Sequence, residues 1–195
     1  MATPSSGVSV LREQLEKGKI MPDVTPNLAD ELVDMRVLYK EVEIANGLGM
    51  RKAQTQIKPH VELHGPSAGS EKEQYTLLMV DPDAPSPSKP TFRNFLHWLV
   101  VNVPGSTAPS QEIWKTGHEQ VPYMGPAPPE GHHRYVFLLF KQSGGVKAED
   151  VSKERRKSFD VEAFAKTHKL GSPVAGLYFI ASAHDELEYS GQQQV

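Results

Sequence analysis

The chain has 195 residues, no cysteine and a formal net charge of −3 at pH 7. That charge gives no electrostatic case for direct nucleic-acid binding, which asks for a basic face, and the missing cysteine excludes disulfides, thiolate chemistry and Cys-ligated zinc. Apolar content of 38% and charged content of 23% are those of a globular chain, long enough as one domain over 1–195 to bury about 70% of its unfolded surface.

Residues 1–7 read as a loose tail without the apolar stretch of a signal peptide. Residues 8–17 place Val8, Val10, Leu11 and Leu15 close to helical spacing, with Gly18 as a stop. Residues 21–28 carry two prolines and read as a loop. Strand-like segments follow at 33–44, 54–63, 74–80, 95–103 and 134–140. Val33, Met35, Val37 and Tyr39 alternate with period two, as a half-buried strand does. YTLLMV and WLVV are continuous apolar runs, the mark of strands buried on both faces. No apolar run approaches the ~20 residues of a membrane-spanning helix. Asp160 caps a helix over 161–169, Gly171 stops it, and Pro173 forbids continuation. A late strand covers 174–181, and 186–195 reads as a frayed tail. Pro/Gly/Ser segments at 64–70, 81–90, 104–110 and 122–131 punctuate the strands. The pattern predicts a mainly β, sandwich-like fold with few short helices.

Three stretches carry candidate chemistry. DPDAPSPSKP, residues 81–90, packs Asp81, Asp83 and four prolines into ten residues. Proline fixes its own φ and holds the preceding residue extended, so the loop is stiff, as a preorganised binding site is. It also suits a plain rigid turn. FLHWLVVN follows, with His97 inside an apolar run, where a histidine is more often a hydrogen-bonded core residue than a functional one. VPYMGPAPPEGHHRYVFLLF repeats the theme, with a Pro/Gly-rich loop ahead of His133 and Tyr135, which share a strand face. Carboxylates beside imidazoles raise the histidine pKa. Protonated histidine and a tyrosine hydroxyl donate to an anion, and carboxylates accept from an ammonium. A small zwitterion such as phosphoethanolamine uses both. The alternative is a metal-dependent hydrolase on Asp81, Asp83, His97 and His133, against which stands the lack of an HExxH pattern. No Gly-x-Ser-x-Gly elbow or P-loop occurs either.

These motifs, together with LGSPVAGLYF, resemble the phosphatidylethanolamine-binding protein (PEBP) family over about residues 8–182. That family includes Raf kinase inhibitor proteins and plant florigen-type regulators. VPYMGPAPPEGHHRYVFLLFKQ and DPDAPSPSKPTFR are similar to the plant branch, its mother-of-FT type in particular. The resemblance implies a large antiparallel sheet packed on a smaller one with short peripheral helices. It implies an anion pocket at Asp81, Asp83, Pro85, His97, Gly125, Pro126, His133 and Tyr135, with Pro128 and Pro129 on its rim. A cis bond is implied at Ala84-Pro85, and a non-proline cis bond at Arg93-Asn94. Activity is implied to be non-enzymatic and cofactor-free: binding of phosphate, phospholipid headgroups or phosphorylated partners, and regulation of kinases, serine proteases or transcription factors by a monomer.

Some residues depart from the florigen pattern. His60 stands where an Arg contacts 14-3-3 adaptors, and 143–145 is Ser-Gly-Gly rather than basic. Phe95 occupies the Tyr/His position that separates flowering activators from repressors, and 144–164 lacks the plant external-loop pattern. These departures argue against 14-3-3 and transcription-factor partners and leave the pocket untouched. Lys153 to Lys157, KERRK, reads as a solvated face, with a nuclear signal or a peripheral membrane patch as the sharper option. A cytoplasmic protein with access to the nucleus fits these features.

Overall fold

In the computed structural model the chain is described over residues 6–65, 70–146 and 153–184. The frayed tail expected at 186–195 lies outside the described residues, as does 147–152 of the external loop.

Helix α1 (Ser6–Lys17) starts two residues earlier than its apolar spacing indicates. It seals Leu15 into the core. The chain leaves it at Lys19, whose φ is 53°, with the Lys19 N–H donating to the Glu16 carbonyl at 2.9 Å and the Ile20 N–H to the Leu15 carbonyl at 2.8 Å. This is the left-handed closure that glycine usually provides, and here lysine provides it. Gly18, the expected stop, is required for close packing instead, because any Cβ there would overlap the Tyr178 ring.

A small sheet follows. It pairs β1 (Asp34–Tyr39) with β2 (Val42–Glu43) on one side and β4 (His60–His64) on the other. The strand expected over 33–44 is thus a hairpin, broken at Lys40 with φ 55°. The strand expected over 54–63 begins only at His60. Before it, Lys52–Thr55 is a 3-10 turn in which the Thr55 hydroxyl donates to the Lys52 carbonyl. Pro59 lacks the N–H that an earlier start would need.

The large sheet has the order β3-β9-β8-β5-β6-β7. Its members are β3 (Leu48–Met50), β5 (Gln74–Asp81), β6 (Phe95–Pro104), β7 (His118–Val121), β8 (His132–Gln142) and β9 (Ala175–Ser182). All pairs are antiparallel except β3 with β9. The short edge strands β3 and β7 and the one-turn helix α2 (Ile113–Thr116) show no usable periodicity in the sequence.

Each central strand is buried on both faces, which is why its sequence is continuously apolar. One face, with Met79, Trp98, Tyr135, Phe137 and Phe179, packs on Val37, Tyr39 and Val61 of the small sheet. The other, with Leu78, Val80, Leu99, Val136 and Leu138, packs on Leu15 of α1 and on Val161 and Ala165 of α3 (Val161–Thr167). The Asp160 carboxylate accepts the Ala163 N–H at 2.9 Å, as the cap signal predicts. α3 ends two residues before the expected 169. Lys169 at φ 54°, rather than Gly171, closes it, with Leu170 N–H on the Ala165 carbonyl.

No helix among the described residues is long and apolar enough to cross a membrane.

Candidate functional site

The site lies on the small-sheet face, where β5 ends and β6 and β8 begin. Tyr75, Leu77 and Met79 point their side chains into this face. Two-residue periodicity carries the series to Asp81 at the end of the strand. On β8 the same alternation sets His133 and Tyr135 on this face and His132 and Arg134 on the other.

His97 arrives by a different device. Val80 pairs with Leu96 and Met79 with Trp98, so His97 is the extra residue of a β-bulge. The bulge moves its side chain beside Tyr135, with ring centroids 5.2 Å apart and edge-to-face. Phe95 packs on the other side of the imidazole at 5.1 Å.

Asp81 and His133 form a buried ion pair, Oδ2 to Nδ1 at 2.7 Å. The second ring nitrogen of His133 faces the Glu130 carbonyl at 3.0 Å. Both partners accept, so both nitrogens donate, and the ring is an imidazolium. Burial opposes that charge, but the hydrogen bond and charge of Asp81 outweigh it and raise the His133 pKa. Asp81 also accepts the Asp83 N–H on Oδ1 at 2.8 Å, an Asx-type turn that starts the rigid loop.

The His97 Nδ1–H donates to the Met124 carbonyl at 2.7 Å, and its Nε2 has no partner among the described residues. Burial holds its pKa below the ordinary value. The Tyr135 hydroxyl is buried without a hydrogen-bond partner among the described residues, with the Ala127 amide near it. Burial, with the nearby Asp81 charge, raises the Tyr135 pKa far above its usual range. A buried, unpaired hydroxyl is rare and marks a place where a partner fits.

The 122–131 loop covers this cluster. Gly125 rests on the 3-10 turn so closely that a Cβ would lie 2.9 Å from Gln56 Oε1 and 3.0 Å from the Thr55 carbonyl. Gln56 donates to the Pro126 carbonyl at 2.8 Å. Tyr123 donates to the Thr55 carbonyl and accepts from Tyr39, both at 2.7 Å. Gly125 and Pro126 thereby hold the backbone that presents Met124 to His97. Pro85 follows a cis bond from Ala84, as the motif implies. The Arg93-Asn94 bond, expected cis, is trans; the other cis bond among the described residues is Met21-Pro22.

Asp83 does not join the cluster. Its carboxylate lies on the helical face, accepting from Arg134 Nε at 2.9 Å, Arg134 Nη2 at 2.7 Å and the Arg134 backbone N–H at 2.8 Å. Burial works to raise its pKa, and these Arg134 bonds outweigh it and lower it. Arg134 Nη1 continues to the Gly18 and Lys19 carbonyls, fastening α1 to the sheet. The four side chains of the metal alternative therefore split between two faces, and no group of three His, Asp or Glu among the described residues could hold a metal ion.

Sequence reasoning missed Arg134, although the i, i+2 rule that joined His133 to Tyr135 also sends Arg134 to the opposite face. His60 contacts the Pro109 carbonyl and Glu112, away from the site. In the 143–145 segment the Ser143 hydroxyl donates to the Lys169 carbonyl.

The family model described as phosphatidylethanolamine-binding protein matches residues 37–179. The chain is 39% identical over 168 residues to Protein MOTHER of FT and TFL1 homolog 2 of Oryza sativa subsp. japonica, covering 86% of this chain and 91% of that one. It is 37% identical over 169 residues to Protein FLOWERING LOCUS T of Arabidopsis thaliana, covering 87% and 90%. The fold is similar to that of a phosphatidylethanolamine-binding protein from Plasmodium vivax, with a TM-score of 0.74 at 25% identity, covering 88% of this chain and 97% of that one. With the family model spanning residues 37–179, which include Asp81, His97, His133 and Tyr135, the chain belongs to the phosphatidylethanolamine-binding protein family.

Proposed function

We propose that this protein is a non-enzymatic regulator that binds a phosphate-type anion, from a headgroup or a phosphorylated partner, at the Asp81–His97–His133–Tyr135 cluster. One observation carries the reading. The Tyr135 hydroxyl and the His97 Nε2 have no hydrogen-bond partner among the described residues, and their rings meet edge to face with centroids 5.2 Å apart, next to a locked imidazolium. The hydroxyl donates as it stands, and His97 donates once protonated. His133 makes no direct bond to the anion, because both of its nitrogens are engaged, and Asp81 balances its charge. Asp83 takes no part in holding the anion; its carboxylate is engaged by Arg134. Similarity to FLOWERING LOCUS T and to a MOTHER of FT and TFL1 homolog supports a role in a developmental transition such as flowering or germination, exerted on protein partners in the cytoplasm or nucleus.

Titration of the 15N-labelled protein with O-phosphorylethanolamine, then with inorganic phosphate, tests this. Saturable shifts at His97, Tyr135 and 81–85 are expected. A folded protein with no shift from either probe overturns it. The near-complete burial of His97, His133 and Tyr135 favours one second reading, inhibition of a kinase or serine protease through an outer loop. Partner binding that survives His97→Ala unchanged would support that reading.

A further inference from the structure

Arg156 belongs to the basic run that reads as a solvated face, yet it is only 5% exposed. Nη1 donates to the Leu96 carbonyl at 2.9 Å and the His97 carbonyl at 3.0 Å, and Nη2 to the Pro122 carbonyl at 2.7 Å. Nε is buried without an acceptor among the described residues. No carboxylate among the described residues pairs with this guanidinium, although a buried charge is ordinarily paired. Asp81 and His133 cancel one another. The buried surroundings of His97 therefore hold one positive charge that no side chain among the described residues compensates.

The same segment is laid along the start of β6. The Ser158 N–H donates to the Phe92 carbonyl at 3.2 Å, and the Phe159 N–H to the Asn94 carbonyl at 3.0 Å. The Lys157 ammonium sits over the Phe92 ring at 4.2 Å. The His97 carbonyl that accepts from Arg156 also accepts the Met124 N–H at 2.9 Å. One guanidinium thus joins β6, the covering loop and the 156–159 segment at the residue whose ring lines the site.

We propose that Arg156 is the counter-charge of the site: a bound oxyanion neutralises it, so anion occupancy and the seating of 156–159 against β6 are one coupled equilibrium. The inference rests on the anion-binding reading above and adds the residue that makes a net negative ligand the favoured occupant. Coupling of this kind is reciprocal. The anion tightens 156–159, and whatever holds 156–159 in place tightens the anion. Burial lowers the Arg156 pKa, and the Arg156 charge adds to the burial that lowers that of His97, as an uncompensated cation should.

Inorganic phosphate and O-phosphorylethanolamine are titrated into the wild-type protein, Arg156→Gln and Arg156→Lys, with amide hydrogen exchange followed at Ser158 and Phe159. In the wild type, saturating phosphate should slow exchange at both amides at least fivefold. Arg156→Gln should lose at least tenfold in affinity for both probes. Arg156→Lys, which keeps the charge without the fork, should keep affinity within about threefold and lose the protection. Wild-type binding with unchanged exchange at Ser158 and Phe159 overturns the coupling, whether or not the Gln variant folds. Affinity within twofold of wild type in Arg156→Gln, or an affinity loss beyond tenfold in folded Arg156→Lys, overturns the charge role. A wild type that binds neither probe removes the anion-binding reading itself, and this inference with it.

Discussion

His133 Nδ1 lies 2.7 Å from Asp81 Oδ2, and the opposite ring nitrogen lies 3.0 Å from the Glu130 carbonyl, so the imidazole is held between two acceptors. The pair joins the last residue of β5 to the start of β8, and the pair's charges are fixed before any ligand arrives. Preorganised charge of this sort costs no rearrangement on binding.

Removing one member of a buried ion pair strands the other. Asp81→Asn should destabilise the protein by about 3–5 kcal/mol in urea unfolding at pH 6. The folded His133 pKa is raised above 6.5, so its contribution is fully present below 6.5 and fades as pH rises through the higher folded value. The stability gap between wild type and Asp81→Asn should therefore narrow as pH rises above 6.5. A gap constant from pH 5 to 9 would show that His133 is neutral in the fold.

Asp83 and Arg134 should behave as structural partners. Asp83→Asn weakens the fork that anchors α1 and should cost about 2–3 kcal/mol. The folded pKa of Asp83 is lowered, so its contribution is present above the ordinary carboxyl value of 3.8 and is lost as pH falls through the folded value. Phosphate affinity measured by calorimetry should stay within twofold. A tenfold loss would return Asp83 to the anion site.

His97 donates from Nδ1 to Met124, so its neutral form presents only a lone pair at Nε2. An anion there requires the imidazolium. Burial lowers the His97 pKa, so binding should take up a proton and strengthen as pH falls below 6.5. Sulfate, whose charge is constant in this range, is the right probe. Calorimetry in two buffers of different ionisation enthalpy should show net proton uptake near pH 6.5, abolished in His97→Gln.

The two helix exits invite opposite substitutions. Lys19→Gly and Lys169→Gly replace left-handed lysines and should each raise stability by about 0.5–1 kcal/mol. Gly18→Ala should instead lower it by about 2–3 kcal/mol, because the methyl meets the Tyr178 ring rather than open space. Thermal melts of the three variants decide this. A neutral Gly18→Ala would mean that Tyr178 moves freely.

The central strands were legible in the sequence because burial on both faces writes itself as unbroken apolar runs, as at 77–80 and 136–140. The helix over 161–167 was legible because Asp160 is a local signal that acts within one turn. So was the polar pair on β8, since residues two apart share a strand face, and so were the stiff loops at 81–90 and 122–131. What the chain could not declare depends on pairing between distant segments. The bulge that aims His97 exists only in the register of β5 against β6. The separation of Asp83 from Asp81 arises because Arg134, 51 positions away, captures its carboxylate on the other side of the sheet. Gly18 looked like a helix stop until Tyr178 closed over it. Arg156 looked like one cation in a solvated run until three backbone carbonyls from β6 and the covering loop surrounded it. Local propensity and periodicity are fixed by neighbours in sequence, so they are readable. Which charge meets which, and which cation is left without a partner, is set by long-range contacts that only the folded chain supplies.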